Sequence, residues 1–104
     1  MKKIIIVILC LILFGCNNKS LINTDNSIII DVRTKEEYNL GHIVNAINIP
    51  YDEINEDITL DKTKTIYVYC KSGTRSNIAY TKLSDLGYDV VDLGAFDKIN
   101  MEKE

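Results

Sequence analysis

Covalent chemistry is best served by one run of this chain, Tyr67-Val68-Tyr69-Cys70-Lys71-Ser72-Gly73-Thr74-Arg75-Ser76. Its apolar, β-prone start ends in a cysteine. A short polar loop with one glycine follows, then an arginine, then a helical pattern at Ile78, Ala79, Leu83 and Leu86. The spacing predicts strand, tight loop and helix N-terminus, with the thiol at the carboxyl end of the strand, where ligands of open α/β sheets collect. Loop N–H groups and the positive end of the helix dipole would both favour a thiolate over a thiol. The cysteine pKa, ordinarily about 8.5, should therefore fall. Lys71 and Arg75 act in the same direction. The chemistry that results is a nucleophilic sulfur, or a site for an anion carried on it. A cysteine closing a buried strand is often only a small inert hydrophobe. The basic, glycine-containing loop argues against that here and sets the sulfur apart from apolar packing.

The rest of the chain must position that thiol. At 104 residues it makes one small domain. With 46% hydrophobic and 26% charged residues, the composition is that of an ordinary globular protein and argues against disorder. The formal charge is -3 and no basic block is present, which argues against nucleic acid as a partner. His42 is the sole histidine, which disfavours a papain-like protease and a histidine-rich metal site. No metal and no cofactor is expected.

The first residues are read apart from the fold. Lys2 and Lys3 precede an unbroken apolar run over residues 4–14, too short to span a bilayer comfortably, which reads as a signal peptide. Its end, Leu13-Phe14-Gly15-Cys16, resembles the bacterial lipobox, although Phe14 is bulkier than usual at its position. That resemblance implies removal of residues 1–15, acylation of Cys16, and a lipid-anchored protein on the extracytoplasmic side of a bacterial cell envelope. A plain N-terminal anchor or an ordinary secretory signal are the alternatives. Loss of two lysines would leave the chain more acidic still, so a lipid and not surface charge must hold it to the membrane. Of three cysteines, Cys10 would leave with the signal and Cys16 would be acylated. Cys70 remains as an unpaired thiol in an exported protein, where cysteines normally pair. That flags reactivity.

Residues 16–27 are polar and aperiodic, and read as a tether. Ile28-Ile29-Ile30-Asp31-Val32 is a β-branched strand of the buried parallel kind. Thr34 and Glu37 have capping-box spacing, so a short helix follows and stops near Gly41. Residues 46–50 form a second strand ended by Pro50. A helical turn falls within residues 51–58 and a polar loop over 60–65. A third strand runs over residues 66–69, a helix over 77–86 ended by Gly87, and a fourth strand over 89–92. Strands alternating with helices predict an α/β fold, a parallel sheet with helices on its faces.

With the elements placed, two sets of motifs become specific. Asp31-Val32-Arg33, Glu37-Tyr38, Gly41-His42-Ile43 and residues 45–50 resemble the front half of a rhodanese domain. Tyr69-Cys70, residues 72–76, Ala79-Tyr80, Leu83, Gly87-Tyr88 and Leu93-Gly94-Ala95 resemble the back half. The likeness covers about residues 28–96, with the domain bounded at 28–100. It implies a small rhodanese-like parallel sheet flanked by helices. There are departures: the strand and helix that usually open the family's domain are replaced by the tether, which shortens the N-terminal edge. The usual double glycine is Gly94-Ala95, and Phe96 stands near the position of the closing tryptophan.

The resemblance implies a sulfurtransferase of the thiosulfate sulfurtransferase type. Cys70 would be the nucleophile, taking sulfane sulfur from a small anionic or persulfide donor, holding it as a persulfide, and passing it to a thiol acceptor, including a protein thiol. The loop, Lys71, Ser72, Gly73, Thr74 and Arg75, would bind substrate, and Arg33 would either line the pocket with it or serve the structure, the latter reading being favoured. Arg75 can either bind an anionic donor or brace the loop; Lys71 can attract anions or be merely solvated. The Ser72 and Thr74 hydroxyls can reach the sulfur or cap the following helix. Gly73 serves backbone conformation. Asp31 orders loops through hydrogen bonds, and His42 belongs to the scaffold. A thiol redox relay and a non-catalytic binding module are the other functional classes. Cysteine phosphatases and arsenate reductases also set Cys and Arg about an anion loop. Here only four residues, 71–74, separate Cys70 from Arg75, which suits a single sulfur better than a tetrahedral oxyanion.

Overall fold

A computed structural model describes residues 25–104. The expected signal peptide, Cys16 and most of the tether lie outside the described residues. The order of elements is β1 (Ser27–Asp31), α1 (Lys35–Asn39), β2 (Ile47–Asn48), a 3-10 turn (Tyr51–Glu53), β3 (Thr65–Cys70), α2 (Thr74–Asp85), β4 (Asp89–Ala95) and a second 3-10 turn (Phe96–Lys98). The four strands form one sheet in the order β2-β1-β3-β4, and every pairing is parallel.

Strand alternation divides the interior into two layers. Ile66, Val68 and Cys70 of β3 face the side covered by α2 and pack with Ile30, Val32, Ala79, Leu83 and Tyr88. Tyr69 and Ile29 face the other side, with Ile43, Ala46 and Ile99. α2 buries Ser76, Ala79 and Leu83, a spacing that turns one helical stripe to the sheet. Its end is set by Gly87 at φ +94, and the Tyr88 N–H returns to the Leu83 carbonyl at 3.1 Å. At α1 the capping box is present in full, with Thr34 Oγ1 accepting from the Glu37 N–H and the Glu37 carboxylate accepting from the Thr34 N–H.

Several expected boundaries shift, and the second strand shortens from residues 46–50 to Ile47–Asn48. α2 starts at Thr74 instead of residue 77, so Arg75 and Ser76 lie in its first turn. β4 continues to Ala95 because a register shift opposite Val68 and Tyr69 lets the strand resume pairing, with Asp92 Oδ1 accepting from the Gly94 N–H at 2.9 Å. Backbone bonds also carry the folded unit past residue 100. Glu104 exchanges two with His42 at 2.8 Å each, and the Val44 N–H donates to Glu102 at 3.0 Å. Among the described residues no helix is long and apolar enough to cross a membrane.

Candidate active site

β3 delivers Cys70 to the carboxyl edge of the sheet, and the chain turns at once into α2. The turn depends on Gly73, at φ +104, a conformation other residues rarely adopt. Gly73 also occupies the N-cap position of α2, and, having no side chain, cannot cap the helix itself. The Ser72 and Thr74 hydroxyls, both on exposed residues, do not play the capping role the sequence allowed them. The sulfur does. Cys70 Sγ accepts from the Gly73 N–H at 2.9 Å, and the N–H groups of Ser76 and Ser72 also favour its ionised form. It stands where an N-cap oxygen would stand, on the donors that a helix start leaves without partners.

Ser76 is the residue sequence reasoning passed over. It is fully buried, its hydroxyl donates to the Gly73 carbonyl at 3.1 Å, and the same hydroxyl favours the ionised form of Cys70. Burial pushes the Cys70 thiol up. The Ser76 hydroxyl and the N–H groups of Ser76, Gly73 and Ser72 outweigh burial and hold it below its ordinary value. Replacing Ser76 by alanine should therefore raise the pH midpoint of Cys70 alkylation by iodoacetamide. The thiolate fraction at neutral pH falls, and the rate there falls with it. An unmoved midpoint would mean that the backbone donors act alone.

The sulfur is not, however, set apart from apolar packing as expected. Cys70 has no exposed surface and belongs to the same cluster as Val68, Ala79 and Leu83. It is both core residue and anion-loop residue, apolar on the sheet side and hydrogen-bonded on the loop side.

Both arginines arrive already paired. Arg75 donates from Nη1 and Nη2 to the two Glu37 oxygens at 2.8 and 3.1 Å, tying the first turn of α2 to α1. These bonds are the chief reason the Glu37 carboxyl is held down to about 2, and Thr34 adds to them. Of the two readings open for Arg75, the geometry gives the brace. Arg33, expected to bind substrate, is only 5% exposed and forks onto Asp31 through Nε and Nη2 at 2.6 to 3.0 Å. Nη2 donates also to the Gly41 carbonyl, and the guanidinium lies over the Phe96 ring at 4.3 Å. Asp31 completes the network by accepting from the Tyr69 hydroxyl at 2.9 Å. Neither arginine brings an unpaired charge to an incoming anion. Lys71 does: it is exposed and pairs with no carboxylate among the described residues.

His42 stacks on Tyr38 with ring centroids 3.8 Å apart and faces Glu104 at 3.4 Å. Its partners lie on the scaffold, not on the cysteine loop. No cluster of metal-ligating side chains occurs among the described residues.

Fold and loop together define a class: a parallel α/β domain that presents one thiol as the cap of a helix. The Rhodanese-like domain family matches residues 18–102, and the chain belongs to that family. Thiosulfate sulfurtransferase PspE of Escherichia coli (strain K12) is 42% identical over 78 residues, covering 71% of this chain and 75% of that protein. Adenylyltransferase and sulfurtransferase uba4 of Ogataea parapolymorpha is 41% identical over 63 residues, which span 59% of this chain but only 16% of that longer protein. A solved structure described as a rhodanese with anions from E. coli superposes with a TM-score of 0.69 at 37% identity, covering 75% of this chain and 96% of that one.

Proposed function

We propose that this protein is a sulfurtransferase that carries sulfane sulfur on Cys70 as a persulfide. The observation that carries the reading is the position of Cys70 Sγ at the start of α2, where it accepts from the Gly73 N–H at 2.9 Å, in surroundings of Ser76, Gly73 and Ser72 that hold the thiol below its ordinary value. The thiolate attacks the outer sulfur of a donor such as thiosulfate. The new S–S bond forms as the donor's S–S bond breaks, and sulfite leaves with its electron pair. The added sulfur lies about 2 Å beyond Sγ. The loop donors that held the thiolate then face the negative charge spread over the pair, as an oxyanion hole would. A thiophilic acceptor, cyanide in an assay or a thiol in the cell, takes the outer sulfur and returns Cys70 as thiolate. The kinship with PspE, named a thiosulfate sulfurtransferase, supports this reading. Because Cys70 has no exposed surface, a donor reaches it only when the exposed loop around Lys71 and Ser72 yields.

The test is incubation of the purified domain with thiosulfate and then cyanide. A gain of one sulfur, about 32 Da, should appear on Cys70 and leave as thiocyanate. A protein that takes no sulfur from any sulfane donor would not be a sulfurtransferase.

The lipobox-like stretch ending at Cys16 supports a second proposal, that the mature chain begins at an acylated Cys16 and works at the cell envelope. Mass spectrometry of the native N-terminus should find diacylated or triacylated cysteine. An intact Met1 on soluble protein would overturn it.

A further inference from the structure

Beside the loop lies a cavity of about 230 Å³ whose lining includes Arg33, Glu37, Leu40, Lys71, Phe96 and Asp97. Pockets that take drug-sized ligands run from about 300 to 1,000 Å³, so this one admits something smaller. Cys70 is not in its lining, but the cavity adjoins the cysteine loop through Lys71, the next residue in the chain, and through Glu37, which holds Arg75, so a donor seated there meets the sulfur when the loop yields. Its charges are balanced. Arg33 is spent on Asp31 and Glu37 on Arg75. Two charged side chains of the lining stay exposed with no ion-pair partner among the described residues: the cation Lys71 and the anion Asp97. The remaining wall is apolar, with Leu40 90% exposed at the rim and Phe96 covered by Arg33 on its ring.

A dianion is a poor match for such a lining. It meets one free lysine and also a free aspartate that repels it. A ligand of amino-acid size bearing one carboxylate and one ammonium matches both charges and sets its carbon skeleton against Leu40. We propose that the preferred sulfur donor is a small zwitterionic organic persulfide, R–S–SH, whose carboxylate pairs with Lys71 and whose ammonium pairs with Asp97. The proposal rests on the sulfur-transfer reading above and names its donor class. The step balances without any further reagent. The Cys70 thiolate attacks the outer sulfur, the Sγ–S bond forms, the donor's own S–S bond breaks, and R–S⁻ leaves with its electron pair. Cys70 is oxidised to the persulfide level as the donor is reduced to a thiol.

The test is a charge series of donors of one kind, generated in situ. Cysteine persulfide carries both charges, cysteamine persulfide only the ammonium, and 3-mercaptopropionate persulfide only the carboxylate. Thiosulfate is the dianion. Loading of Cys70 is followed by mass, and kcat/KM by thiocyanate release. For the wild type, cysteine persulfide should give the highest kcat/KM. Asp97→Asn should lower kcat/KM about two- to fivefold for the two ammonium-bearing donors, the size of one exposed ion pair. It should raise kcat/KM for 3-mercaptopropionate persulfide and thiosulfate, because a repelling charge is gone. Lys71→Gln should do the reverse, hurting the carboxylate-bearing donors and thiosulfate most. Opposite movements of this kind are not produced by a loss of folding, which lowers all four alike. Equal movement of all four donors in both variants, or a wild type indifferent to the ammonium, overturns the donor assignment while leaving sulfur transfer standing. Failure of every donor to load Cys70 overturns sulfur transfer itself, and the donor assignment with it.

Discussion

Cys70→Ser is expected to abolish sulfur transfer, lowering turnover with thiosulfate and cyanide by about three orders of magnitude or more, the scale on which loss of a nucleophile is felt. The gain of about 32 Da on incubation with a sulfane donor should vanish with it. A serine oxygen fills nearly the same space and can accept from the same Gly73 N–H that holds the sulfur. Its alcohol neither ionises near neutral pH nor bonds to sulfane sulfur. The fold should persist, because the one change in the apolar cluster around Val68, Ala79 and Leu83 is the exchange of a sulfur for a hydroxyl that keeps the Gly73 hydrogen bond. The expected loss of stability stays within about 1–2 kcal/mol. Urea denaturation beside the sulfur-loading assay separates the two effects. A variant that stays folded yet still gains the sulfur would place the nucleophile elsewhere. Cys10 and Cys16 are the other cysteines of the chain, so peptide mapping of the modified site decides the matter.

The parts of this structure that could be read from the sequence are those in which neighbours along the chain are also partners in space. The Thr34–Glu37 capping box, the Gly87 helix stop, the β-branched strand before Asp31 and the Cys70 loop all lie within a few residues of themselves. What the sequence left open joins distant segments. Glu37 shows itself as a capping residue, and nothing local says that its carboxylate also holds Arg75, 38 positions away. Tyr69 shows itself as one apolar residue of a strand, yet its hydroxyl donates to Asp31 and accepts from the Ile43 N–H. The α2 start at Thr74 was hidden for a different reason. Apolar periodicity begins only where the helix meets the sheet, whereas the first turn faces the sulfur and buries a serine. Hydrophobic pattern carries no signal for a turn whose work is to donate hydrogen bonds. The family resemblance supplied the loop chemistry but not its wiring, and both arginines proved to be committed to carboxylates of the chain itself.

That commitment makes Asp31 the position of greatest expected cost to stability. It has no exposed surface and accepts from the Arg33 N–H at 2.9 Å, from Arg33 Nε and Nη2, and from the Tyr69 hydroxyl. Asp31→Ala leaves a guanidinium that is 5% exposed without its counter-charge and a buried phenol without its acceptor. Breaking one side of a buried pair costs about 3–5 kcal/mol, a large share of the roughly 5–15 kcal/mol that holds a domain folded. For a domain of this size the melting temperature should fall by more than about 10 °C. Arg33 keeps the Gly41 carbonyl and the Phe96 face, which hold the cation in place but do not neutralise it. Removing the cation as well should therefore restore part of the loss. In Asp31→Ala/Arg33→Met the flexible apolar side chain fills the space beside Phe96 and no buried charge remains. The double variant should be more stable than Asp31→Ala alone, a non-additivity that urea denaturation reads as a higher midpoint at an unchanged slope. Equal midpoints, or a further drop, would show that the pair is valued for its hydrogen bonds to Gly41 and Tyr69 and not for cancelling charge.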